Sequence, residues 1–202
     1  EVGRKDLREG AYRGFPSFLR SLPAILAARP AARVVIIGGD EISYGARLPD
    51  GHTWRQRLLD ELGDGLDRSR VHFLGKVPYR TFLKVLQVSR VHVYLTYPFV
   101  LSWSLLEAMS AGCAIVASNT QPLHEAIQHD ETGLLVDFFD SAVLVQQVVH
   151  LLDHPAERAR LGSNARAFAQ HHYDLQTVCL PQQLAWVAGL GDGSASAAVT
   201  SG

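Results

Sequence analysis

Residues 99–125, FVLSWSLLEAMSAGCAIVASNTQPLHE, decide the predicted fold of this chain. Leu105, Leu106 and Met109 recur at helical spacing, and Ala111-Gly112 ends the predicted helix. The following run CAIVAS is short and apolar, as is typical of a strand buried on both faces. In an α/β sheet such a helix begins at the carboxyl ends of the strands, where ligands bind.

The same alternation of apolar strands and helices extends along most of the chain. Strands are predicted at 33–37, 71–74, 91–95 and 133–136, and helices at 12–29, 53–62 (with Thr53 as N-cap), 78–88, 141–152 and 155–171. This pattern predicts an α/β fold with a doubly wound, Rossmann-like parallel sheet of about five or six strands. We expect one domain, residues 1–188, and a disordered tail, residues 189–202, rich in Gly, Ser and Ala.

Composition excludes several classes of function. The 202 residues are 47% hydrophobic, enough for one sizeable core, and the 19 basic and 20 acidic side chains nearly balance. Near-zero net charge gives no electrostatic indication of a nucleic-acid partner, and no apolar run approaches the ~20 residues that span a bilayer. The charged N-terminus has no signal peptide, and two cysteines offer no disulfide framework, so we expect a cytoplasmic protein. Because the chain begins without Met, we also expect a piece of a longer protein or a processed chain.

Histidine spacing raises the question of a metal site. His150 and His154 are four residues apart on a predicted helix, which is a ligand spacing, but no Glu accompanies them and Pro155 follows directly. We therefore predict no metal site. P-loop, Gly-x-Ser-x-Gly and Gly-x-Gly-x-x-Gly motifs are absent from the sequence.

The segment LLEAMSAGCAIVAS, with HEAI and ETGLLVD downstream, resembles a known family. It is similar to the C-terminal, donor-binding half of GT-B glycosyltransferases of group 1, which are retaining enzymes that use nucleotide diphosphate sugars. The resemblance covers roughly residues 13–173. In the family pattern a Glu is followed after seven residues by Glu-Ala-Met, and here the second Glu is Glu107.

Two positions depart from this pattern. Phe99 stands where the first Glu of the pair is expected, and Asn119–Pro122 replaces the usual Gly-Gly. A carboxylate at the first position lies close to the donor sugar in the family, whereas the Phe99 ring can only stack on a sugar or line a pocket. Glu125 matches the family Glu of the next loop, although a carboxylate at a helix start is also a common stabilising feature.

The resemblance implies that Glu107 accepts hydrogen bonds from the ribose hydroxyls of the donor. From spacing alone, Ser104-x-x-Glu107 is equally a capping box, in which Glu107 satisfies a backbone amide. The resemblance also implies that backbone amides at Ser102, Trp103 and Ser104 face the donor diphosphate. For the Trp103 side chain, core packing or a domain contact is as plausible as a ligand contact.

Cations are expected near the diphosphate. Arg13 precedes Gly14 where the family usually has Lys-Gly, so the resemblance gives Arg13 the role of stabilising the leaving nucleotide diphosphate. A second cation normally ends the first strand of the domain, and Arg4 or Arg8 matches it. The alternative for these arginines is a solvated surface charge.

Two strand exits complete the predicted site. Lys76 and Val77 follow one strand and correspond to the loop beside the nucleobase, and Gly39, after Gly38, corresponds to backbone near the diphosphate. Each segment could also be an ordinary strand exit.

The resemblance implies sugar transfer from a nucleotide sugar to an acceptor, with retention and without a cofactor or an obligatory metal. The acceptor site would lie in an N-terminal domain outside this chain, so we expect the chain alone to bind nucleotide weakly and to lack transferase activity. Two alternatives stay open. One is a non-catalytic nucleotide-binding module, favoured by Phe99 and the missing Gly-Gly. The other is a GT-B-like nucleotide-sugar epimerase, which usually needs acidic residues that this loop lacks.

Overall fold

The structure, a computed structural model, describes residues 14–40, 48, 50–97 and 101–191. In this part of the chain five strands alternate with seven helices: α1 (Phe15–Ala28), β1 (Val34–Ile37), α2 (Trp54–Leu62), β2 (Val71–Gly75), α3 (Tyr79–Val88), β3 (Val91–Tyr94), α4 (Trp103–Ser110), β4 (Ala114–Ser118), β5 (Leu134–Val136), α5 (Ser141–Asp153), α6 (Pro155–Tyr173) and α7 (Leu180–Gly191). The predicted α/β class is confirmed.

All strand pairs among the described residues are parallel, and they form two hydrogen-bonded groups. In the first group β1 pairs with β2, with Val34 opposite Val71. In the second, β4 lies between β3 and β5, with Val91 opposite Ala114 and Val116 opposite Leu134. The prediction was one continuous sheet. Residues 1–13 lie outside the described residues, so the pairing of that segment does not enter this topology.

Strand β4 carries the core on both of its faces. Val116 belongs to a cluster formed with α1, α2 and α5, whereas Ile115 belongs to a second cluster formed with α3, α4 and α6. Successive strand residues point to opposite faces, so an unbroken apolar run is the pattern such a strand needs. All five residues of β4 are buried, as the run CAIVAS predicted.

Helix α1 begins close to the end of β3. Gly14 precedes it with φ +66°, a left-handed conformation that favours glycine, and a Cβ at Gly14 would lie 2.2 Å from Cβ of Leu95. Only glycine allows this approach, which holds the start of α1 at the carboxyl edge of the sheet.

Helix α7 was not predicted from the sequence. It extends through Gly191, past the predicted start of the tail at Gly189, and residues 192–202 lie outside the described part. Its large apolar side chains Leu184, Trp186 and Val187 are exposed. Among the described residues, no helix combines the length and apolar character needed to cross a bilayer.

Candidate functional site

The carboxyl ends of β3 and β4 are tied together by a buried serine. The Ser118 hydroxyl donates to the carbonyl oxygen of Thr96 at 2.8 Å and accepts from the Thr96 backbone N–H at 3.0 Å. Both residues are completely buried. This pair fixes the edge of the sheet from which the chain leads towards α4.

Helix α4 begins with a serine cap. Ser102 is the N-cap, and its hydroxyl oxygen accepts from the Ser104 backbone N–H at 3.3 Å and lies 2.9 Å from the Ser104 hydroxyl. Ser104 is therefore inside the first turn, and the capping-box interpretation of Ser104-x-x-Glu107 is wrong. The first backbone N–H groups of a helix lack partners within the helix and carry its positive dipole end, which suits an anion.

The Trp103 side chain projects from this helix start. It is 84% exposed, so core packing is wrong for Trp103, and a ligand or domain contact remains. Trp103 and Ser104 stand at the helix terminus, as the resemblance requires of residues whose amides face a diphosphate.

Glu107 lies further along α4 and is partly buried. Interaction with the nearby Glu107 carboxylate, and to a smaller extent loss of hydration, raises the pKa of the Tyr79 hydroxyl. Tyr79 is the first residue of α3, directly after the exit loop of β2. The ribose-binding candidate and the loop predicted to lie beside the base are thus neighbours in space.

The exits of β1 and β2 lie side by side. The Gly38 backbone N–H donates to the carbonyl oxygen of Gly75 at 3.0 Å, and both glycines have positive φ, +144° and +64°. This bond brings Gly39 and the pair Lys76-Val77 to one edge of the sheet. Lys76 is exposed and Val77 is partly buried.

A comparison with protein-family models identifies the family of this chain. The family model described as glycosyl transferases group 1 matches residues 8–168. The chain belongs to this family.

Relatives agree with this assignment. A GDP-mannose-dependent mannosyltransferase of phosphatidylinositol monomannoside from Corynebacterium glutamicum is 26% identical over 165 residues, which are 78% of this chain and 39% of that protein. Thus the chain spans about two fifths of the length of this curated relative.

Solved structures share the fold. The C-terminal domain of the group 1 glycosyl transferase LpcC from Francisella tularensis aligns with a TM-score of 0.69 at 20% identity, covering 82% of each chain. HepE from Anabaena, solved in complex with UDP, aligns with a TM-score of 0.67 at 21% identity, covering 85% of this chain and 44% of that one. The fold is that of the C-terminal half of a GT-B glycosyltransferase.

Several candidate residues of the group 1 pattern lie outside the described residues. They are Arg13, Arg4, Arg8 and Phe99. Their predicted roles stay predictions from the sequence.

Glu125 has a partner within the fold. Its carboxylate accepts from the Tyr173 hydroxyl at 3.3 Å, and burial together with the Glu125 charge raises the pKa of that hydroxyl. Nearby, His124 Nε2 lies 2.6 Å from Asn119 Oδ1, in the segment that replaces the family Gly-Gly. Glu125 thus fastens the end of α6 to this loop, in line with a structural role.

The histidine pair at the end of α5 is engaged with protein groups. His150 Nε2 lies 2.7 Å from a carboxylate oxygen of Glu157, and the ring of His154 stacks on that of His150 at 4.1 Å between centroids. Within the described ranges, no group of three or more His, Cys, Asp or Glu side chains could hold a metal ion.

Tyr79 is the site residue that sequence reasoning missed. A tyrosine after Pro78 at a helix start has no special spacing, and Glu107, which raises the pKa of its hydroxyl, belongs to another helix. Its position just after the predicted base loop is the one signal that could have drawn attention to it.

Proposed function

We propose that this chain is the donor-binding half of an enzyme that transfers a sugar from a nucleotide diphosphate sugar to an acceptor with retention of configuration. Glu107 accepts hydrogen bonds from the donor ribose, and the first amides of α4, at Ser102–Ser104, bind the diphosphate. The Ser104 N–H would exchange its 3.3 Å bond to the Ser102 hydroxyl for one to a phosphate oxygen. Lys76 and Val77 lie beside the nucleobase, and Gly39 leaves room for the phosphates.

The placement of Glu107 carries this proposal. In a capping box the Glu107 carboxylate would accept from a backbone amide of its own helix. Ser102 caps α4 instead, and Glu107 lies near the start of α3. A carboxylate offers two acceptor oxygens, which suits the two vicinal hydroxyls of a ribose.

Catalysis in this proposal is stabilisation of the leaving group. Negative charge grows on the nucleotide diphosphate as the glycosidic bond breaks, and the positive end of α4 and the Arg13 guanidinium are the groups that offset it. We further propose, from the family resemblance, that no metal ion is obligatory. The acceptor site belongs to an N-terminal domain outside this chain, so the chain alone binds nucleotide weakly and does not turn over.

The relatives support a nucleotide-sugar donor, but they do not indicate which nucleobase the donor carries. The Corynebacterium glutamicum relative is named for GDP-mannose, and HepE was solved with UDP. Both ligands contain a nucleoside diphosphate, which is the chemistry that Glu107 and the start of α4 recognise.

The test is multiple turnover by the whole protein that carries this chain, supplied with a nucleotide sugar and an acceptor in the presence of EDTA. We expect transferred sugar with the donor's anomeric configuration, read by NMR, and loss of turnover in Glu107→Ala. Nucleotide binding without any transfer would favour the non-catalytic module suggested by Phe99. Epimerised donor formed without an acceptor would instead indicate an epimerase.

A further inference from the structure

Trp103 carries the most exposed large apolar side chain of the described residues, at 84%. Its indole N–H has no hydrogen-bond partner within the described part of the chain. The core does not need this ring, because Leu105, Ala108 and Met109 form the buried face of α4. Single exposed apolar side chains are common on protein surfaces, so the position of Trp103 decides what its ring can do.

Trp103 shares the open face of α4 with Glu107. Residues four apart are neighbours on a helix surface, so the two residues are separated by about one turn, or about 6 Å along the axis. Trp103 is the first residue of the helix, and helix side chains lean towards the N-terminus. The indole ring therefore projects from the helix start, while Glu107 lies one turn further along.

The covalent order of a nucleotide diphosphate sugar indicates which part of the donor Trp103 meets. The molecule runs from the base to the ribose, then to two phosphates and the sugar. With the ribose at Glu107 and the phosphates at the first amides of α4, the sugar follows at the end of the helix from which Trp103 projects. The base lies on the other side of the ribose, beside the loop with Lys76 and Val77 that leads into α3.

An indole ring suits a sugar better than it suits the charged parts of the donor. One face of a hexopyranose ring exposes mainly C–H groups, which pack against the flat surface of an aromatic side chain. The indole N–H can also donate a hydrogen bond to a sugar hydroxyl. Trp103 therefore supplies packing area and one donor at the place where the sugar is expected.

We propose that Trp103 is a sugar-binding residue of the donor site, whose indole ring packs against the sugar that the enzyme transfers. This inference rests on the proposed donor-binding role of Glu107 and the start of α4. It assigns the sugar to a side chain and the diphosphate to backbone amides, which a substitution of Trp103 leaves in place. The two contributions to affinity can therefore be measured separately.

The experiment measures what the sugar contributes to binding. UDP with UDP-glucose, and GDP with GDP-mannose, are titrated by calorimetry into the whole protein that carries this chain. For the pair that the protein binds, the quantity compared is the ratio of sugar-nucleotide affinity to nucleoside-diphosphate affinity. In Trp103→Ala this ratio should fall about fivefold, the size of an aromatic contact, with affinity for the nucleoside diphosphate unchanged. Trp103→Phe keeps an aromatic ring and should retain part of the ratio.

Trp186→Ala is the matched control. Trp186 is also exposed, at 68%, but it belongs to α7 and not to the proposed site, so its loss should leave the ratio unchanged. Urea denaturation checks that the variants fold. Because the Trp103 ring is not packed in the core, Trp103→Ala should unfold at the same urea concentration as the unaltered protein.

Each other outcome overturns a defined claim. An unchanged ratio in Trp103→Ala overturns the sugar contact alone. An equal loss of affinity for both members of the pair also overturns it, and indicates that Trp103 contacts another part of the donor or of the protein. A protein that binds neither nucleoside diphosphates nor sugar nucleotides overturns the proposed donor site and the inference with it.

Discussion

The β3–β4–β5 unit and the β1–β2 pair follow the same parallel-strand pattern but differ in how far they are covered. Every residue of β4 is buried, whereas Val35 of β1 and Leu74 of β2 are 44% and 43% exposed. Helix α4, with Ser102 and Glu107, leads into the covered unit, and the loop with Lys76 and Val77 leaves the open pair. The residues proposed to bind the diphosphate and the ribose thus have the firmer support, while the loop proposed to lie beside the base is on the part expected to open more readily.

The largest expected effect is at a close contact between the backbone of α6 and the residues that lead into β4. A Cβ added at Gly162 in α6 would lie 2.3 Å from the backbone oxygen of Gly112, just before β4. Since backbone must move to admit it, Gly162→Ala should lower the free energy of unfolding by about 3 kcal/mol in urea denaturation. Gly189→Ala is the control, because no atom lies within 4 Å of a Cβ at Gly189 in α7, and stability should stay level or rise slightly. Equal behaviour of the two variants would contradict the tight contact.

The same substitution in the two strand groups sharpens the comparison. Val116 in β4 is completely buried, so Val116→Ala should cost about 2 kcal/mol of unfolding free energy. Val35→Ala in β1 should cost less than about 1 kcal/mol, since much of the side chain already contacts water. Similar losses would mean that the two strand groups are equally covered in solution.

Acid should weaken the β3–β4–β5 unit through His92 of β3. Burial lowers the pKa of His92 from 6.5 to about 4, so the folded protein holds this ring neutral. Below about pH 6.5 the unfolded chain binds a proton that the folded chain does not, and stability falls until the pH reaches the folded value. We expect a loss of up to about 2 kcal/mol between pH 6.5 and 4 from this residue. In His92→Gln that part of the slope should vanish from the pH profile of urea denaturation, and an unchanged slope would exclude His92 as its source.

Local sequence patterns predicted most helices and strands well, because these elements depend on the properties of residues that are close in sequence. The apolar run of β4 and the helical spacing of α4 are properties of neighbouring residues. The cap of α2 was also correct: the Thr53 hydroxyl oxygen accepts from the Gln56 backbone N–H at 3.1 Å, and the Gln56 side chain accepts from the Thr53 backbone N–H at 2.9 Å.

Features that depend on tertiary packing were missed or misassigned. Two serines stand near the start of α4. Their spacing alone does not show that Ser102, and not Ser104, is the N-cap. The effect of Glu107 on the pKa of Tyr79 links residues of two helices that share a core cluster, and sequence spacing does not reveal such a link. Helix α7 was not predicted, because its apolar residues do not form the usual stripe of one buried face. Leu184, Trp186 and Val187 are exposed.

The central claim is that Glu107 binds the ribose of a nucleoside diphosphate. Calorimetric titration of the protein with UDP, GDP and ADP, beside Glu107→Gln, tests it most directly. We predict that one nucleotide binds selectively and that Glu107→Gln weakens it by about 10- to 100-fold, because hydrogen bonds to a charged acceptor are lost. Equal affinity in Glu107→Gln and the unaltered protein would contradict the account.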